Sequence, residues 1–92
     1  MATNYTNRRD SQSLNGQAVI VTLDSSDAAN LDLLTDGMLA TNQTSGKTGT
    51  VRRVDYFGNS FQVVPIQPDR NFDSAPTVYG YLSVGTVVSV NT

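Results

Sequence analysis

Gly46-Lys47-Thr48 is the tail of a phosphate-binding P-loop, a motif in which backbone N–H groups and a lysine cradle phosphates. Its first glycine would fall where the chain has Thr41, and the residues after Thr48 read as a strand where the motif needs a helix N-terminus. The triplet therefore reads as part of a surface loop. Asp24, Asp27, Asp32 and Asp36 are carboxylates of the kind calcium takes. They lack the alternating spacing, the sixth-position glycine and the terminal glutamate of an EF-hand, and read as helix caps and solvated charges. Asp55 and Asp73 offer two carboxylates for acid–base work, but no motif places them across a cleft. The sequence has neither Cys nor His, which removes disulfides, thiolate and imidazole metal sites, Cys nucleophiles and His-based dyads. The expectation is a protein that binds rather than catalyses, with no catalytic residue, cofactor or metal.

The residues suited to contacting a partner are few. Arg8-Arg9 and Arg52-Arg53 are the basic pairs, able to touch an acidic protein surface or nucleic acid; the plainer reading is a solvated tail for the first and pairing with Asp55 for the second. Tyr5, Tyr56, Tyr79 and Tyr81 could stack bases as in OB-like folds, a use that normally comes with a basic groove, and otherwise suit a core or a protein interface. With one lysine and a net charge of −2 the chain has no electrostatic footprint for nucleic acid unless its arginines cluster. Tyr5, Arg8, Arg9, Arg52, Arg53, Tyr79 and Tyr81 are the expected partner-binding set.

The elements that must position these residues are strands. All eight acidic residues are Asp, and Thr, Ser, Asn and Val are plentiful, a composition that favours pleated surfaces and turns over helices. Ala18 to Leu23 is a β-branched run stopped by Asp24-Ser25-Ser26-Asp27; residues 24–36 fit a short helix or an irregular loop equally well. Gly37 to Ala40 suits a brief strand, and Thr41 to Gly49 a polar loop. Val51 to Pro65 reads as a hairpin with Gly58-Asn59 as a two-residue turn, which places Tyr56 opposite Phe61 and Val54 opposite Val63 on one face. Phe72 is the anchor of a long connection. Thr77 to Leu82 and Thr86 to Val90 are two more strands whose register a two- or a three-residue turn would set differently. The fold class expected is mostly β, a small barrel or sandwich of five to seven short strands. Residues 17–92 would form its single domain and residues 1–16, almost without apolar members, a flexible arm ordered by a partner.

No stretch approaches the length of a membrane span and residues 1–17 are polar, so the chain is expected to be made and kept in the cytosol; the two N-x-T triplets at Asn4 and Asn42 are then chance. A chain this short without metal or disulfide is expected to draw support from self-association or docking. The polar first segment, the Thr/Ser/Asn-rich strands and the closing Gly85-Thr86-Val87-Val88-Ser89-Val90 resemble the head decoration (cement) proteins of tailed bacteriophages. That resemblance implies a homotrimer seated on the major capsid protein, in a virion assembled in the host cytoplasm. The central hairpin and the lack of Trp depart from the lambda type, so its topology is not carried over. The alternative is a small barrel adaptor or nucleic-acid-binding module with Arg52, Arg53 and the tyrosines lining a groove.

Overall fold

In the computed structural model residues 2–12, 18–66, 72–73 and 81–92 are described. Alternating runs of Thr, Val and other β-formers produce β1 (Ala2–Thr6), β2 (Ser11–Gln12), β3 (Val19–Thr22), β4 (Leu39–Asn42), β5 (Thr48–Asp55), β6 (Ser60–Pro65), β7 (Tyr81–Leu82) and β8 (Val87–Asn91). Six of them form one antiparallel sheet in the order β1-β8-β4-β5-β6-β3, and β2 pairs with β7 in a small second sheet. The fold is mostly β, as the composition requires.

One side of every long strand faces a common core. Tyr5, Val19, Val21, Ala40, Val51, Phe61, Val63, Val88 and Val90 point inward with Leu23, Leu31, Leu34, Leu82 and Phe72. Phe72 is completely buried, and its carbonyl accepts hydrogen bonds from Asn42 Nδ2 (2.9 Å) and Ser45 Oγ (3.0 Å), so it anchors its segment as expected. The strands approach so closely at Gly49 that a Cβ there would lie 2.5 Å from Val63 Cγ1.

Residues 2–12 are not a free arm. β1 pairs with β8 from Ala2↔Asn91 to Thr6↔Val87, and Tyr5 is fully buried with its ring edge-on to Phe61 at 5.3 Å between centroids. The alternation Thr3, Tyr5, Asn7 supplies the inward side, and main-chain pairing replaces the apolar content that the segment lacks. Past β1 the chain crosses to the opposite edge of the sheet, where Arg8 N donates to Thr22 O at 2.8 Å. Asn7 stitches this closure. Its Nδ2 donates to Leu82 O (3.2 Å) and Ser83 O (3.0 Å), and its Oδ1 accepts from Thr22 N (3.0 Å). Its backbone exchanges hydrogen bonds with Thr86 and Gly85. A fully buried amide is tolerated there because all its polar groups are satisfied.

The central hairpin forms, but in another register. Asp55 pairs with Ser60, Arg52 with Gln62 and Val51 with Val63, so Tyr56 to Asn59 make a four-residue turn and Tyr56 does not face Phe61. Two local devices override the two-residue turn. Asp55 Oδ1 accepts from Phe57 N (3.0 Å) and Gly58 N (2.9 Å), folding the turn around a side chain, and Asn59 takes the left-handed conformation at φ 54°. Between Arg52 and Asp55 the strand bulges, two residues opposing one, with Arg53 left-handed at φ 52°. The extra residue lets Val51 enter the core while Val54, three positions on, still packs against it.

Segment 24–36 resolves as the short helix α1 (Ser25–Ala28) and a 3-10 turn, Leu31–Leu33. Asp24 caps α1 by accepting from Ser26 N and Asp27 N, and its carboxyl is held below the usual range, chiefly by the Ser26 hydroxyl. Residues 41–49 are less loop than expected, since β4 takes Thr41 and Asn42 and β5 takes Thr48 and Gly49, which leaves 43–47 as the loop. The strand expected at 77–82 lies outside the described residues except for Tyr81–Leu82, which pair with β2.

Candidate protein-binding face

The side chains that do not enter the core make the outer face of the sheet, and the register assigns them to rows. Val64, Thr50 and Leu39 are direct neighbours across β6, β5 and β4. Thr48, Thr41, Ser89 and Asn4 are neighbours across β5, β4, β8 and β1, and Ile66 joins that row through its N–H to Thr48 O (3.0 Å). Val87 with Thr6, and Asn91 with Ala2, flank them on β8 and β1. None of these side chains is charged. Leu39, Val64 and Ile66 remain 43%, 36% and 57% exposed, large apolar groups set among half-buried threonines. Charge returns on this face at Arg52, opposite Gln62.

An outer strand face normally carries charges for solubility and to deter edge pairing. Charge depletion with apolar and hydroxyl side chains in contiguous rows is the composition of a protein interface core. The β5–β6 turn adds Phe57, completely exposed, beside Tyr56, which is half exposed. Because Asp55 pins the turn backbone, both rings sit on a pre-formed support, and little ordering entropy opposes their burial by a partner.

The structure scatters the expected partner-binding set. Tyr5 is in the core; its hydroxyl donates to Asn30 O (2.8 Å), and burial, then Asp32 and Asp27, push its pKa up to about 12. It is unavailable to a partner, which corrects the expectation drawn from its polar surroundings. Arg8 is ion-paired with Asp24 at 3.2 Å on the surface. Arg9 is exposed and borders a surface cavity of about 340 Å³ with Asp10, Ser11, Ile20 and Thr22. Arg52 and Arg53 are exposed on β5, Tyr81 is half-buried on β7, and Tyr79 lies outside the described residues. Of the tyrosines that the adaptor reading would set beside Arg52 and Arg53, Tyr5 is sealed inside, Tyr56 is exposed and Tyr81 is half-buried. Asp73 is buried; its Oδ2 accepts from Ser83 N (2.9 Å) and Ser83 Oγ (3.2 Å). Gly46 lies in the turn leaving β4 and Thr48 begins β5, so the P-loop likeness ends in a strand. Among the described residues no three of Asp, Glu, His or Cys stand together as a metal set, and no helix is long and apolar enough to cross a membrane.

Sequence reasoning missed the uncharged face and Phe57. The signal was present as strands without Lys, Arg or Asp, but only the pairing aligns them. Comparison with protein-family models, with curated proteins and with solved structures found no match to this chain.

Proposed function

We propose that this chain is a non-enzymatic structural subunit that seats its uncharged outer face on a larger protein surface, in the manner of the head decoration proteins its sequence resembles. The partner in this reading is a major capsid protein, met in the host cytoplasm and retained in the virion. The observation that carries the reading is the run of uncharged rows over five neighbouring strands, with Leu39, Val64 and Ile66 left in water. About half of each of these side chains is still exposed, so covering one contributes about 0.5–1.5 kcal/mol, and a flat partner that covers all three, together with the rows around them, offsets part of the cost of association.

Co-sedimentation with capsids that lack the protein tests this. Leu39→Asp and Thr41→Lys, both on the face and outside the core, should abolish attachment while leaving the circular dichroism spectrum unchanged. Retention of both variants on capsids would refute the assignment of the face.

A second reading draws on Arg52, Arg53, Tyr56 and Phe57, which share one exposed hairpin end and combine guanidinium groups with two solvent-facing rings. This is the chemistry of single-stranded nucleic-acid binding. A salt-dependent shift of single-stranded DNA, lost in Phe57→Ala, together with failure to bind capsids, would replace the decoration reading by that one.

A further inference from the structure

The two edges of the sheet are finished differently. At the β3 edge three of the four outward main-chain groups of Ile20 and Thr22 have found a partner: Ile20 O accepts from Ser11 Oγ (2.7 Å), Thr22 N donates to Asn7 Oδ1, and Thr22 O accepts from Arg8 N. At the β1 edge the odd positions face inward to the sheet, since Asn7 N donates to Thr86 O in line with the Tyr5↔Val88 and Thr3↔Val90 pairs. The N–H and C=O groups of Ala2, Asn4 and Thr6 therefore point away from β8. Thr6 N is capped by Asp27 Oδ2 at 3.1 Å. Ala2 and Asn4 have no main-chain partner on that side among the described residues.

We infer that this edge takes a second copy of the chain, β1 pairing antiparallel with its own symmetry mate across a two-fold axis at Asn4. The open groups are self-complementary in that register. Asn4 N–H and C=O exchange two hydrogen bonds with Asn4 of the mate, and each Ala2 N–H reaches the Thr6 C=O opposite. The one donor left out, Thr6 N, is the one Asp27 already occupies. β1 carries no charge and no proline, the residues that edge strands use to prevent such pairing. The Asn4 side chain is already steadied on the outer face by Gln43 Nε2 (3.1 Å). Pairing also makes the uncharged row continuous, running Thr48–Thr41–Ser89–Asn4 in one copy and on through Asn4 to Thr48 of the other. The assembly is a two-fold pair in place of the three-fold set that the resemblance implies, and it stands whether or not the partner is a capsid.

Sedimentation velocity of the full chain over a concentration series tests the inference. Wild type should show a monomer–dimer equilibrium. Asn4→Pro removes an N–H that faces away from β8, so the fold tolerates it, while losing half of the cross-strand bonds weakens dimerisation by about tenfold or more. Asn4→Lys and Asn4→Asp each place like charges opposite one another and should be monomeric, whereas their equimolar mixture should dimerise again. A wild-type chain that stays monomeric at millimolar concentration overturns the inference. So does a dimer that all three variants leave intact, because it would use another surface.

Discussion

Replacing Asn7 by alanine removes three hydrogen bonds at the seam where the sheet closes and leaves Leu82 O, Ser83 O and Thr22 N without their side-chain partner. At about 1 kcal/mol for each, the loss is about 3 kcal/mol. A chain of this length has a total stability of about 5–14 kcal/mol, so the variant should unfold about 12–24 °C below wild type. Thermal and urea unfolding followed by circular dichroism would measure it. Asn7→Asp separates the lost contacts from repulsion, because its second carboxylate oxygen would face the Leu82 and Ser83 carbonyls. That carboxyl titrates higher when folded than when unfolded; its penalty is therefore absent below about pH 4 and grows as pH rises through the carboxylate range. The Asn7→Asp variant should thus be closest to wild type in acid and furthest at pH 7. A loss below about 0.5 kcal/mol for Asn7→Ala, or a pH-independent difference for Asn7→Asp, would refute the assignment of the stitch.

Arg53 occupies the left-handed region at φ 52°, which favours glycine, so Arg53→Gly should add about 0.5–1 kcal/mol to the unfolding free energy, read as a higher urea midpoint at unchanged slope, and Arg53→Val should lower the midpoint. The Tyr5 phenol titrates near 12 when folded and near 10 when unfolded, so the neutral form is favoured by folding; about 2–3 kcal/mol of stability present below pH 10 should be lost between pH 10 and 12. Tyr5→Phe should lack that alkaline slope in pH-dependent unfolding.

The strands were legible where β-branched residues are contiguous, as in Val19-Ile20-Val21 and Val87-Val88, because their stiff side chains suit a pleated, half-buried surface. Phe72 was legible because a lone large apolar residue in a polar connection has few alternatives to burial. The hairpin register was not. Gly58-Asn59 matches a two-residue turn on its own, and the competing devices, an aspartate folding the turn and an arginine forced left-handed, depend on backbone geometry that residue type does not announce. β1 was missed for a related reason. Only Tyr5 in it is strongly apolar, and its order comes from pairing with a strand distant in sequence. The uncharged face was half legible: strands free of Lys, Arg and Asp can be counted, but which of their alternate positions share a surface follows only from register.

The pairing of β1 with β8 also bears on how the chain comes to be folded during synthesis. β8 sits between β1 and β4, so the first strand made has no neighbour until residues 7–86 have followed it out. At about 5–20 residues per second that wait is roughly 4–16 s, in which an uncharged strand-forming segment stays open to the nascent chains around it. β3, β4, β5 and β6 can assemble meanwhile, each beside a partner already made, but closure through Asn7 needs residues 82–86 as well. Folding should therefore finish in one late, non-local step in which β8 docks and β1 is captured with it. Variants that weaken β8 would then show themselves first as losses on synthesis, before any change in the finished protein.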